Sequence, residues 1–187
     1  MKGVETANME NITELETFFQ QLVADASGVE TVILADQDRS APSGLYATYK
    51  PVPVRAYGHP RRNREDVDAI DSNIYEWTDF NETVITSMEF MLSCNFFNEG
   101  ADSAAARVHN ANFRISVQEL LYVNEVAWRY CSEVRNLTVL SQAEMQPRFQ
   151  LDIHLYVEME VTEVVLRAAG FVFSTFNENG IQLYDGA

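Results

Sequence analysis

From Leu151 to Val161 every second residue is apolar, and the residues between them are Asp152, His154, Tyr156, Glu158 and Glu160. Successive side chains of a strand point to opposite faces, so this run specifies one long β-strand with an apolar face and a polar face. A chain with such a strand must cover the apolar face with another layer. A second alternation supplies a neighbour: Glu82, Val84, Thr86, Met88, Phe90, Leu92, Cys94 and Phe96 share one face of a strand-like stretch over 74–97, with a break expected near 80–82.

Helices supply the covering layer. Asn11 with Glu14 three positions on forms a capping pair, and Ile12, Leu15, Phe18, Phe19, Leu22 and Val23 follow at helical spacing, ending near Ser27 and Gly28. After Asn98-Glu99-Gly100, residues 101–114 favour helix, and a second capping pair, Ser116 with Glu119, starts another. Between these lie a short β-branched run at 31–35 and a longer strand at 45–57. Pro51 and Pro53 place that strand at a sheet edge or in a bend, because neither can donate to a ladder. Residues 128–140 are strand-like again, and 141–147 read as a turn that Pro147 closes. The stretch 164–176 continues the long strand or pairs back on it through Gly170. The expected fold is therefore α+β: an antiparallel sheet with helices packed on one side. Length and apolar content call for a single domain over 1–187, with its core at 11–176, a flexible N-terminus at 1–10, a long loop at 58–72 and an extended tail at 177–187.

Charge narrows the partners. The 28 acidic residues against 13 basic ones give −15, and the only lysines are Lys2 and Lys50. Such a field opposes binding to nucleic acid or to an anionic membrane surface, since phosphate contacts need clustered cations. It suits the wall of a passage through which DNA slides, and equally a surface that only keeps the protein soluble. The N-terminus has no apolar signal region and no run approaches a membrane span, so folding in the cytosol is expected. The Asn-x-Thr triplets at Asn11, Asn81 and Asn136 then have no role as glycosylation acceptors.

No constellation for chemistry emerges. Cys94 and Cys131 lie in apolar strand-like segments without zinc or redox spacing and are expected to be buried free thiols. His59, His109 and His154 fall in a loop, a helix and the polar face of a strand. Asp66, Asp68 and Asp71 approach calcium-loop spacing but lack the glycine and the closing glutamate of such a loop. There is no phosphate-cradling glycine motif, and Ser43 is framed by Pro42 and Gly44 instead of a nucleophile elbow. The aromatics Tyr46, Tyr49, Tyr57, Phe96 and Phe97 lack the basic groove of a single-strand binder, so packing explains them. No catalytic residue, metal site or cofactor is expected.

Three segments, in order, carry a likeness. Ala41-Pro42-Ser43-Gly44-Leu45-Tyr46-Ala47-Thr48-Tyr49-Lys50 is a turn feeding a strand, in which Pro42 fixes one backbone angle and Gly44 permits a left-handed one; Val134-Arg135-Asn136-Leu137-Thr138 follows; Pro147-Arg148-Phe149-Gln150-Leu151-Asp152-Ile153 opens the long strand. Over 11–176 the chain resembles the phage neck and tail-terminator family, departing from its pattern at Leu45, where the family carries proline, and in the length of 58–72. The resemblance implies a structural virion protein that terminates the tail tube and joins it to the head connector. It further implies a hexameric ring through which DNA passes unbound, with connector or adaptor proteins on one side and tail tube or sheath proteins on the other, and no membrane partner. A head-completion or stopper protein is the neighbouring alternative; a small-molecule-binding, lyase-like or isomerase-like α+β protein is the alternative of another class. In such a ring the basic Arg61, Arg62 and Arg64 and the acidic Asp66, Asp68 and Asp71 are candidates for docking onto neighbours. Asp152, Glu158 and Glu160 are candidates for lining the passage.

Overall fold

The computed structural model describes residues 12–38, 40–68, 78–141, 144–166, 173–176 and 182–186. The chain divides into two compact units, Met1–Pro60 with Ile85–Glu160, and Arg61–Val84 with Val161–Ala187. Helix α1 spans Ile12–Ser27, α2 Ala101–His109 and α3 Ile115–Val123, with a 3₁₀ turn at Ala111–Phe113 between the last two. The strands are β1 Val32–Leu34, β2 Tyr46–Asp68, β3 Thr78–Phe97, β4 Ala127–Cys131, β5 Arg135–Asn136, β6 Val139–Ser141, β7 Glu144–Gln146, β8 Arg148–Val165, β9 Phe173–Phe176 and β10 Gln182–Gly186. The main sheet runs β1-β2-β3-β8-β4, with β5 also on β8. Its fold class is α+β as expected, and one pair, β1 with β2, is parallel.

In the first unit the alternation works as the sequence predicts. Leu151, Ile153, Leu155 and Val157 of β8 and Phe90, Leu92, Cys94 and Phe96 of β3 are buried in one cluster with Leu15, Phe19, Leu22 and Val23 of α1, Ala104, Ala105 and Val108 of α2, and Val117 and Leu121 of α3. All three helices thus cover one face of the sheet. Gly28 ends α1 at φ +74°, its N–H bonded to Ala24 O, and a side chain there would meet the Arg107 guanidinium at 2.8 Å. Arg114 donates to the carbonyls of Asp25 and Ala26, and Arg107 to that of Ser27, so two cations satisfy the C-terminal end of α1. This displaces the expected capping pair: α3 starts at Ile115 with Arg114 as its first cap residue and no side-chain cap, so Ser116 already lies inside the helix.

Pro51 and Pro53 lie past the pairing of β1, which takes only Ala47–Tyr49, so they occupy a stretch of β2 whose outer edge no described strand takes. Tyr46 stacks on Phe97 and Arg55 pairs with Glu89, both odd-numbered positions of β3. The alternation of β2 therefore slips by one residue between them.

Several local expectations fail. Residues 58–68 are strand, not loop, because β2 continues to Asp68; residues 69–72 lie outside the described ones. No break occurs at 80–82, where β3 is continuous. The entry to β2 does not use the left-handed freedom of Gly44, whose carbonyl accepts a hydrogen bond from the Asn98 side-chain amide at 2.7 Å. The tail is not merely extended, since β10 pairs antiparallel with β9. The flexible N-terminus expected at 1–10 lies outside the described residues.

Candidate functional site

In the first unit the sheet face away from the helices carries a cross-strand polar network. Glu89 sits at its centre with a side chain only 4% exposed, and accepts hydrogen bonds from Arg55 Nε at 3.0 Å and from Arg129 Nη1. His154 Nδ1 stands 3.2 Å from the same carboxylate, and its ring stacks on Tyr130 at 4.2 Å. The Arg129 guanidinium lies over both Tyr130 and Tyr156, and Tyr156 packs on Tyr57. Further along, Gln150 donates to Ser93, Arg148 to Asn95, and Arg135 to Asp152 at 3.0 Å. Burial acts to raise the Glu89 pKa. The hydrogen bonds from Arg55, Arg129 and His154 outweigh it and hold the carboxyl below the ordinary glutamate range.

That direction fixes a pH dependence. A carboxyl whose folded pKa is depressed stabilises the fold above its unfolded pKa, about 4.3 for glutamate, and the contribution is lost as pH falls through the folded value. Glu89→Gln is therefore expected to lower the urea midpoint at neutral pH, and the gap to the wild type should close as pH falls below about 4. A gap that persists undiminished in acid would mean that the charge of Glu89 contributes nothing. Sequence reading missed Glu89, Arg129 and Arg135 because it followed the apolar positions of these strands. The available signal was a lone carboxylate between Met88 and Phe90 in a stretch otherwise poor in charge.

In the second unit the charged half of β2 meets β3. Arg62 Nη1 lies 2.7 Å and Arg64 Nη2 2.8 Å from the Glu82 carboxylate, whose side chain is 6% exposed, and the Arg64 guanidinium also covers the Phe80 ring. The hydrogen bond from Arg64, opposed by burial and joined by the charge of Arg62, holds Glu82 below the ordinary range. The candidate docking residues Arg62 and Arg64 are thus engaged within the chain, yet their side chains remain 56% and 60% exposed. Asp66 and Asp68 lie on the same strand; Asp71 falls outside the described residues.

Of the candidate lining residues, Asp152, Glu158 and Glu160 do share the polar face of β8, but their surroundings differ. Asp152 is 7% exposed beneath Arg135, with Oδ1 unpartnered; Glu158 and Glu160 are half-buried. Glu158 borders an open cavity of about 460 Å³ with Tyr57, Ser87, Glu125 and Tyr156, and a second of about 530 Å³ is lined by Leu121, Tyr122, Val123, Glu125, Val126 and Ala127. Neither is lined by Glu89, Arg129 or His154; the network reaches the first only through Tyr57 and Tyr156, so its charged groups do not converge on either cavity. Among the described residues no group of three or more His, Cys, Asp or Glu side chains could hold a metal ion, and no helix is long and apolar enough to cross a membrane. Cys94 and Cys131 are both free. Burial first, then Cys131 and Asp152, push the Cys94 thiol well up, and burial with Asp152 pushes Cys131 to about 12, so both stay protonated at neutral pH.

Residues 13–179 match the sequence family described as phage neck terminator protein. No curated protein matches the chain.

Proposed function

The chain belongs to the phage neck terminator family, whose members are structural neck proteins of the virion that associate with other head and tail proteins; from that premise we propose that it terminates the tail tube and joins it to the head connector. It does so as one protomer of a hexameric ring around the DNA channel. The family match across most of the chain carries this reading. Its geometry is compatible with an architectural role: helices cover one sheet face, and the other carries an ion-pair and aromatic network whose central groups, Glu89, Arg129 and His154, are engaged with one another. On this reading residues 1–187 act as one domain, with β2, β3 and β8 each passing through both units.

The ring docks through the charged strand bearing Arg61, Arg62, Arg64, Asp66 and Asp68, with Asp71 beyond it. Glu158 and Glu160, with Asp152 partly neutralised by Arg135, face the passage. A wall with a net charge of −15 behind it repels phosphates, whereas a lining of arginines would hold them by counterion release. Imaging of the assembled particle is the test: the protein should form a continuous ring on the tail axis between head and tail. The purified chain should also give no duplex mobility shift near physiological salt. A single copy bound off the axis, or tight salt-sensitive duplex binding, would overturn the reading.

A further inference from the structure

In the first unit the sheet face that bears Asp152, Glu158 and Glu160 also carries arginines. Arg55 of β2, Arg129 of β4, Arg135 of β5 and Arg148 of β8 all reach acceptors there, and the side chains of the first three are 59%, 35% and 54% exposed. A face that looks on the passage turns these cations towards it as well. Bare guanidinium groups in such a wall would hold phosphates through bidentate hydrogen bonds and counterion release. A wall along which DNA slides must therefore occupy them.

The geometry does so from beneath. Glu89 accepts from Arg55 Nε through one carboxylate oxygen at 3.0 Å and from Arg129 Nη1 through the other, while its own side chain is only 4% exposed. One buried carboxylate thus engages two exposed cations. The rings of Tyr130 and Tyr156 lie 5.4 Å from the Arg129 guanidinium carbon. Asp152 takes Arg135 at 3.0 Å, and Arg148 directs Nε and Nη2 to the Asn95 side-chain oxygen with its guanidinium over the Phe97 ring. Glu89 and Asp152, joined by Glu158 and Glu160, match the four arginines in number. Taking four from the 28 acidic and four from the 13 basic residues leaves the whole of the −15 elsewhere. The face is balanced, not acidic.

We propose that Glu89 keeps the wall of the passage from gripping DNA, by holding Arg55 and Arg129 away from the phosphates; this inference rests on the passage reading above. Glu89 is a positioning residue, since it acts on DNA only through the two arginines. Its carboxyl lies below the ordinary glutamate range and so stays ionised at neutral pH. Losing that charge leaves both guanidinium groups in place at the surface with no carboxylate to hold them.

The test is the rate of triggered DNA release from particles assembled with Glu89→Gln, followed by nuclease accessibility at two salt concentrations. Contact with only two phosphates changes affinity about tenfold between about 50 and about 200 mM salt, so release at the lower salt is expected to slow about tenfold against the wild type and to recover at the higher. Ion pairs that only brace the sheet behave in the opposite way, because salt screens them. A defect that is equal at both salts, or worse at the higher, therefore overturns the proposal. Glu89→Gln with Arg55→Gln and Arg129→Gln is the control, since it lacks the same ion pairs but bares no cation. It should release DNA as the wild type does; release as slow as that of Glu89→Gln alone overturns the proposal. Where Glu89→Gln yields no particles, Asp152→Asn, which frees Arg135, and Asp152→Asn with Arg135→Gln carry the same comparison and the same outcomes. Wild-type release by Glu89→Gln at both salts, from particles that show the ring, overturns the role of Glu89 and leaves the ring standing. A ring with this sheet face turned from the axis removes the passage reading and the proposal together.

Discussion

Particles assembled with a chain carrying Arg61→Glu, Arg62→Glu and Arg64→Glu are expected to fall about a hundredfold in joined heads and tails, since like charges across a contact cost several kcal/mol and each 1.4 kcal/mol is a factor of ten. The ion pairs to Glu82 complicate the experiment, because reversal also surrounds a buried carboxylate with glutamates. Adding Glu82→Arg separates the two effects. It restores both internal pairs with reversed sign while the face presented to a neighbour stays acidic. If docking is the function of these arginines, the quadruple variant recovers the wild-type circular dichroism and still fails to join. Joining restored by Glu82→Arg would assign the arginines to the inside of the chain alone.

The contrast between the two units explains what the sequence could disclose. Where a strand buries an apolar face, its period is written in the residues themselves. The order Leu151, Ile153, Leu155, Val157 therefore announced β8, and Leu15, Phe19, Leu22 announced α1. At 58–68 the cross-strand partners are ionic, and nothing at Arg62 or Arg64 tells of Glu82, which lies 20 and 18 residues further along the chain; the segment was indistinguishable from a charged loop. The opposite held at Ser116, where a legible capping pair was overruled because Arg114 starts α3 while its side chain serves the end of α1. The β9–β10 pair had a local signal in Asn179-Gly180, a dipeptide favoured in tight hairpins, but flanking strands without apolar alternation hid it.

The candidate residues divide the same way. The polar face of β8 was readable from the alternation, which is why Asp152, Glu158 and Glu160 were grouped. That Asp152 would be covered by Arg135 depended on β5 folding back beside Gln150 and Phe149, a long-range pairing that no local pattern encodes. Glu89 is the clearest case: its environment is assembled from β2, β4 and β8, so its significance exists only in the folded sheet.

The largest loss of stability is expected from Phe19→Ala. Phe19 is fully buried, packs on Phe18 and Phe90 at ring separations of 5.6 and 6.0 Å, and joins α1 to the sheet. Truncation removes its transfer free energy and leaves a cavity that fixed helices and strands cannot close, a cost of about 3–5 kcal/mol. Phe113→Ala supplies the control, since Phe113 is 76% exposed and its loss should change stability by no more than about 0.5 kcal/mol. Urea unfolding at neutral pH measures both. If the chain is one domain, each variant should unfold in a single transition with the wild-type slope, Phe19→Ala at a much lower midpoint. Two separated transitions, with only one moved by Phe19→Ala, would show that the units unfold independently. Equal midpoints for Phe19→Ala and the wild type would contradict the packing of α1 against β3 on which the architecture depends.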